Sequence, residues 1–194
     1  WDFAAEFSPD NIQRSMNMSV LSSSFDKNHG GTGANIAYNL ALLWESAILL
    51  SSVWDDYAYS DVITEKINLK YAHKQQFAHS AQSMILSDNN DNKMTIFHPW
   101  AMKYAWDSKV SYVQEPVWVA IVSANDIATM LQHAREIKEL DIKLIVDPAQ
   151  QITQMSQEEL PEFFPLGYIL ILNQNEFTDL HKLSGLSDDN LKSA

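Results

Sequence analysis

The sequence predicts an α/β fold with a mostly parallel central sheet and a small antiparallel sheet standing apart from it. Three observations predict it. Short apolar runs alternate with segments of helical periodicity through most of the chain. One stretch breaks the alternation and reads as two extended runs around the polar turn at residues 88–92. Hydrophobic residues make up 46% and charged residues 20%, which suits a packed core rather than disorder.

The elements follow in chain order. Met16, Met18 and Val20 alternate within residues 15–21, as a two-faced strand requires. Residues 36–43 place Ile36, Ala37, Leu40, Ala41 and Leu43 at helical spacing. Residues 47–53 form a short apolar run, read as a buried strand, and residues 56–69 fit a helix less cleanly. Residues 76–87 and 93–98 are the extended runs; in the second, Met94, Ile96 and His98 alternate with Thr95 and Phe97. Residues 117–122 read as another buried strand. Ile127, Met130, Leu131, Ala134, Ile137 and Leu140 form the clearest amphipathic stripe. A strand at 143–146 stops at Asp147–Pro148, because proline cannot continue a central ladder. Ser156 and Glu159 have capping-box spacing. A strand at 168–172 leads to Asn173 as a cap, and the last helix ends near Leu183 with Gly185 as its stop.

Charge and composition exclude several function classes. Asp plus Glu total 25 against 13 Lys plus Arg, a formal charge of −12, which repels nucleic-acid phosphates. No apolar run approaches the ~20 residues needed to span a bilayer, and no signal-peptide pattern is present. Zero Cys excludes disulfides, Cys-ligated zinc and Cys nucleophiles, with a reducing cytosol as the default compartment. The 194 residues fit one compact domain, without internal repeats or a low-complexity linker. The six His residues (29, 73, 79, 98, 133 and 181) show no metal-ligand spacing.

Three of the five glycines lie in the loop His29-Gly30-Gly31-Thr32-Gly33-Ala34-Asn35, which runs straight into a helix. Glycines there let backbone N–H groups approach an oxygen-rich ligand at the helix N-terminus. A structural role for the loop, with Asn35 as a cap, is the rival reading. A dinucleotide fingerprint fits Gly31 and Gly33, with Asp55 as the ribose-binding acid. Ile36 fails the last position, and the polar residues 22–28 do not read as the buried first strand. No G-x-x-x-x-G-K-[ST] loop is present. Downstream, Asn173-Gln-Asn-Glu176 admits two readings: a capping box, or an amide oxygen and a carboxylate suited to Mg²⁺.

Gly30-Gly31-x-x-x-Asn35-x-Ala37 resembles the N-terminal signature of the PfkB carbohydrate kinases, the ribokinase and adenosine kinase family, and Asn173-x-x-Glu176 resembles that family's N-x-x-E element. Further segments resemble family members: the Asp147–Pro148 loop, the strand-end loop at residues 122–126, and residues 95–102, similar to the end of the lid hairpin in bacterial adenosine-kinase-like members. The resemblance implies a ribokinase-like three-layer α/β/α fold over residues 1–194, with a β-lid formed by segments at about 14–24 and 76–99. It implies ATP-dependent phosphorylation of a sugar or nucleoside; the lid segment points to a nucleoside such as adenosine, while fructose phosphate and ribose kinases share the main signature. It assigns Gly30, Gly31 and Asn35 to the sugar, with Asn125 as a weaker substrate contact, and Asn173 and Glu176 to Mg²⁺ and the phosphates, Glu176 being the metal residue. Phe97 and His98 are candidates for stacking on or hydrogen-bonding a nucleoside, with plain lid packing as the rival reading for Phe97. It further implies a cytoplasmic enzyme and a homodimer through the lid. A dinucleotide-binding oxidoreductase and a non-catalytic remnant of a kinase fold are the alternatives.

The family's D-T-x-G-A-G-D stretch, which carries the anion hole and general base, does not occur in this sequence, and neither does the strand with a substrate-binding Asp. The chain starts at Trp1 rather than Met. The expectation is therefore a fragment that is catalytically inactive alone, with no catalytic residue of its own. Five Gly against six Trp is an unusual balance. Trp44, Trp54 and Trp100 stand where the family pattern favours Gly. This predicts UGA codons, read as Gly in the source and translated as Trp; three genuine surface tryptophans are the rival reading.

Overall fold

The computed structural model describes residues 2–5, 21–54, 67–88 and 92–184. Its elements are β1 (Asp2–Ala5), β2 (Ser22–Asp26), α1 (Thr32–Leu42), β3 (Ser52–Val53), β4 (His73–Lys74), β5 (Gln82–Ser87), β6 (Lys93–His98), β7 (Val119–Ser123), α2 (Ile127–Glu139), β8 (Lys143–Asp147), α3 (Glu159–Phe163), β9 (Ile169–Leu170) and α4 (Gln174–Ser184). The 3₁₀ segments lie at Trp100–Asp107, Val110–Tyr112, Ala149–Gln154 and Phe164–Leu166.

The α/β core is built on the parallel sheet β7–β8–β9. α2 crosses between β7 and β8, because its apolar stripe must be buried. Met130 and Ala134 are fully buried, and Leu131 and Ile137 nearly so. The strand it covers alternates in the same sense: Leu144 and Val146 are buried, while Lys143 is exposed. Ile152 and Phe163 close the same cluster from the 3₁₀ segment after β8 and from α3. Each of these larger side chains contributes about 1.5–3 kcal/mol by leaving water. The capping box of α3 forms, with Ser156 N–H donating to Glu159 Oε2 (2.8 Å) and Glu159 N–H donating to Ser156 Oγ (3.2 Å). A second cluster, Ala34, Ala37, Leu49 and Ile67, seats α1 on the β3 side.

The run at 47–53 behaves as the buried strand expected. Leu49 N–H donates to Asn68 O (3.0 Å) and Gln75 N–H donates to Val53 O (2.7 Å), so pairing extends well beyond the two residues of β3. Most of the helix expected over 56–69 lies outside the described residues. Its tail is extended instead, Asn68 bridging Ile48 in parallel, because this backbone pairs with the 47–53 run.

The separate sheet has the order β2–β1–β5–β6. Its outer pairs are antiparallel and its central pair, β1 with β5, is parallel. Residues 15–20 of the expected first strand lie outside the described residues. The strand that appears, Ser22–Asp26, comes from the polar run before the glycine loop. That polarity suits an exposed strand, and Ser23 to Asp26 are exposed.

β3 and β7 each border the same cleft, and each has one edge without a strand partner among the described residues.

Candidate functional site

α1 opens on glycine. Gly31 is its N-cap at φ 99°, a conformation that favours glycine, and as glycine it brings no side chain to cap the helix. Asn35 N–H donates to Gly31 O (2.9 Å), the first helical bond. A Cβ at Gly30 would meet nothing within 4 Å, so this residue keeps open space over the helix start. A Cβ at Gly33 would lie 3.1 Å from Leu49 Cδ1 and 3.8 Å from Ser123 Oγ, so the third glycine lets α1 press against the ends of both neighbouring strands.

The glycine loop faces a cleft of about 1690 Å³. Gly30, Gly31, Asn125, Gln151 and Glu176 all line it, together with His79, Trp54 and Phe97 from the edge nearest the separate sheet. Four of the sequence-nominated residues, Gly30, Gly31, Asn125 and Glu176, are thus brought to one cavity. Asn35 and Asn173 are not among its lining residues. Asn35 is exposed on α1 and borders a shallow depression with Thr32, Ile36, Asn39, Leu40 and Leu43. His98 is exposed beside Trp100, whose N–H donates to His98 Nδ1 (3.1 Å). The sequence pattern did not single out His79, Gln151 or Gly33's close approach; only Gly33 left a signal, as the third glycine of its loop.

Asn125 ends the strand-end loop with its groups already engaged. Its Oδ1 accepts from Asp126 N–H (2.8 Å), and its carbonyl accepts from Gln151 Nε2 (2.6 Å). The amide nitrogen of Asn125 has no role in either bond. Asp126 then caps α2, its Oδ2 accepting from Thr129 N–H (3.2 Å).

The Asn173–Glu176 element folds into a reciprocal capping box. Asn173 Oδ1 accepts from Asn175 N–H (2.9 Å) and Glu176 N–H (3.0 Å). Glu176 Oε2 accepts from Asn173 N–H (2.8 Å) and its Oε1 accepts from Asn173 Nδ2 (2.6 Å). An ionised carboxylate offers about four lone-pair sites, so two such bonds leave acceptor capacity toward the cleft. Asp147, at the end of β8, has its carboxyl pushed above the usual range by burial and by the charge of Glu176. Glu176 thus brings the negative charge to this end of the cleft and opposes the ionisation of Asp147. Among the described residues no group of three His, Cys, Asp or Glu side chains forms a metal cluster. Asn173 Oδ1 is filled by its two backbone N–H bonds, so a cation here would rest on the Glu176 carboxylate and its own waters, in keeping with Mg²⁺, which retains several waters.

Residues 5–194 match the model of the pfkB family of carbohydrate kinases. The chain belongs to that family. The nucleoside kinase of Burkholderia thailandensis, solved in complex with inosine, is 25% identical, with a TM-score of 0.86 over 99% of this chain and 63% of that one. The Methanocaldococcus jannaschii nucleoside kinase, an archaeal member of the ribokinase family, is 23% identical, with a TM-score of 0.83 over 97% and 62%. A nucleoside kinase of Thermoplasma acidophilum is 24% identical over 124 residues, which is 63% of this chain and 40% of that relative. The chain therefore spans less than two thirds of the length of each of these relatives. The fold is ribokinase-like α/β. The dinucleotide-binding reading of the glycine loop is not favoured. That reading needs a buried strand before the loop, and the strand there is the exposed β2. No helix among the described residues is long and apolar enough to cross a membrane.

Proposed function

We propose that the protein carrying this chain is an ATP-dependent kinase that transfers the γ-phosphate to a hydroxyl of a nucleoside or related ribosyl sugar. One observation carries the proposal: the glycine start of α1 and the carboxylate of Glu176 line the same cleft. The N–H groups of the first turn of α1 suit hydroxyl oxygens, and the open space over Gly30 leaves room for a ring. Asn125 would add an amide to the same ligand. Asn35 is nominated by its motif position and not by the cleft, so its contribution is measured separately by Asn35→Ala.

Asn173 and Glu176 would hold Mg²⁺ through its waters; the ion, when bound, offsets the charge of the nucleotide phosphates. In this reading β1, β2, β5 and β6 form a lid over the sugar, excluding water from the transfer. Phe25, Met84 and Ile96 are exposed on the face of that sheet opposite Phe97, which supports a homodimer through it. A purine nucleoside such as inosine or adenosine is the favoured substrate, because Phe97 and His79 offer flat rings at the cleft wall. The use of ATP and the absence of cysteine support a cytoplasmic reaction.

The test is phosphoryl transfer by the full-length gene product from MgATP to inosine, adenosine and ribose, alongside NAD binding. Phosphorylation of a nucleoside is the expected result. No transfer to any acceptor, or NAD binding in its place, overturns the proposal.

A further inference from the structure

We infer that the residues at positions 44 and 100 are glycine in the natural protein, and that tryptophan stands there because UGA codons have been read as tryptophan. Among the described residues, four non-glycine residues have a positive φ: Trp44 at 66°, Trp100 at 40°, Asp141 at 53° and Ala149 at 48°. Tryptophan makes up six of 194 residues, yet it takes two of these four positions. The left-handed region costs an L side chain about 1–2 kcal/mol, and a bulky residue there is an outlier.

Position 44 is fixed by the hydrogen bonds that end α1. Trp44 N–H donates to Ala41 O (3.2 Å) and Glu45 N–H donates to Leu40 O (3.0 Å). This paired pattern is the Schellman motif, in which the residue after the C-cap is left-handed and is usually glycine. α2 ends the same way: Asp141 N–H donates to Lys138 O and Ile142 N–H to Ile137 O, both at 3.1 Å. Asp141 tolerates that conformation as a short polar residue. Trp44 has no such excuse, and at 97% exposure its indole gains nothing from packing.

Position 100 is the first central residue of a tight turn in which Met102 N–H donates to Pro99 O (2.8 Å). Positive φ at that place marks the mirror-image turns, which glycine dominates. The bond from the residue 100 N–H to His98 Nδ1 needs only backbone and survives the exchange. The ring contacts do not: Trp100 lies 4.1 Å from His98 and 5.2 Å from His79, centroid to centroid. Glycine at 100 therefore uncovers one side of His79, which lines the cleft. Trp54 also contacts His79, edge to face at 4.3 Å, without a left-handed φ. It falls under the same codon reading, but the backbone argument does not include it.

The codons decide the inference. UGA at 44 and 100, with glycine found at both by tandem mass spectrometry of the protein from its natural source, is the expected result; UGG at either position overturns it. The urea midpoint reads the backbone strain at these two positions. Trp44→Gly should shift the folding equilibrium about 5- to 30-fold toward the folded state. Trp100→Gly should shift it less, because its ring contacts to His98 and His79 are lost, and Trp44→Phe should bring no gain. A midpoint that stays or falls in both glycine variants rules that strain out.

Discussion

α1 and α4 both point their N-termini toward the cleft side of the sheet, but they begin in opposite ways. α1 starts on glycine, without a side-chain cap and without an acid in its first turn. α4 starts on a box in which Asn173 and Glu176 satisfy one another's backbone and side-chain groups. α2 and α3 are closed by their own sequence as well, through Asp126 and through Ser156 with Glu159. The unsatisfied donors at a helix start must find acceptors. Where the capping residue is glycine and offers no side-chain acceptor, at α1, the helix start is left open to a ligand or water. Where the chain supplies a full set, at α4, the helix start holds itself and presents a carboxylate.

The largest effect is expected at the open start. Gly31→Val places a β-branched residue at φ 99°, costs about 1–2 kcal/mol, and should lower nucleoside affinity more than tenfold in calorimetry. Gly30→Ala separates the two contributions. Its Cβ meets no atom, so the melting temperature should hold while affinity falls. An unchanged affinity in both variants would break the contrast between the helix starts.

A smaller effect belongs to the closed starts. Asn173→Ala and Asp126→Ala each remove a cap and should cost about 1 kcal/mol, read from urea melts. Only Asn173→Ala should also weaken binding of MgATP, several-fold. Equal nucleotide affinity in the two variants would reduce Asn173 to a cap.

The smallest effect is electrostatic. Glu176→Gln removes the charge that helps hold Asp147 above the usual carboxylate range, so the Asp147 titration followed by NMR should move down toward it. It should stop short, because burial, the larger cause, remains. The sign for stability follows. With its folded pKa raised, Asp147 favours the folded state when protonated, and stability falls as pH rises through that value.

The apolar periodicities were legible wherever burial was one-sided. The stripe of α2 appears in the sequence as it packs, since burial itself wrote the pattern, whereas the unbroken Leu144-Ile145-Val146 run announced a strand without showing which of its faces is buried. The glycine loop and the N-x-x-E element were legible as motifs, and four of the six nominated residues share the cleft. The strand at Ser22–Asp26 was not legible, because a strand exposed along most of its length carries no hydrophobic signature. His79 and Gln151 reach the cleft through tertiary packing, to which local spacing is blind. The Trp44 cap shows the reverse case: the backbone states what the residue letter contradicts.

The rims of the large cleft have a consequence of their own. Residues 45–54 and 116–125 line its two sides, and Val119 and Ile121 stand exposed along one of them. A row of main-chain donors and acceptors in apolar company is a template for any extended polypeptide that fits between. Among the described residues neither rim has a strand on its second edge, so a soluble apolar peptide that fits the slot should slow any concentration-dependent aggregation of this chain.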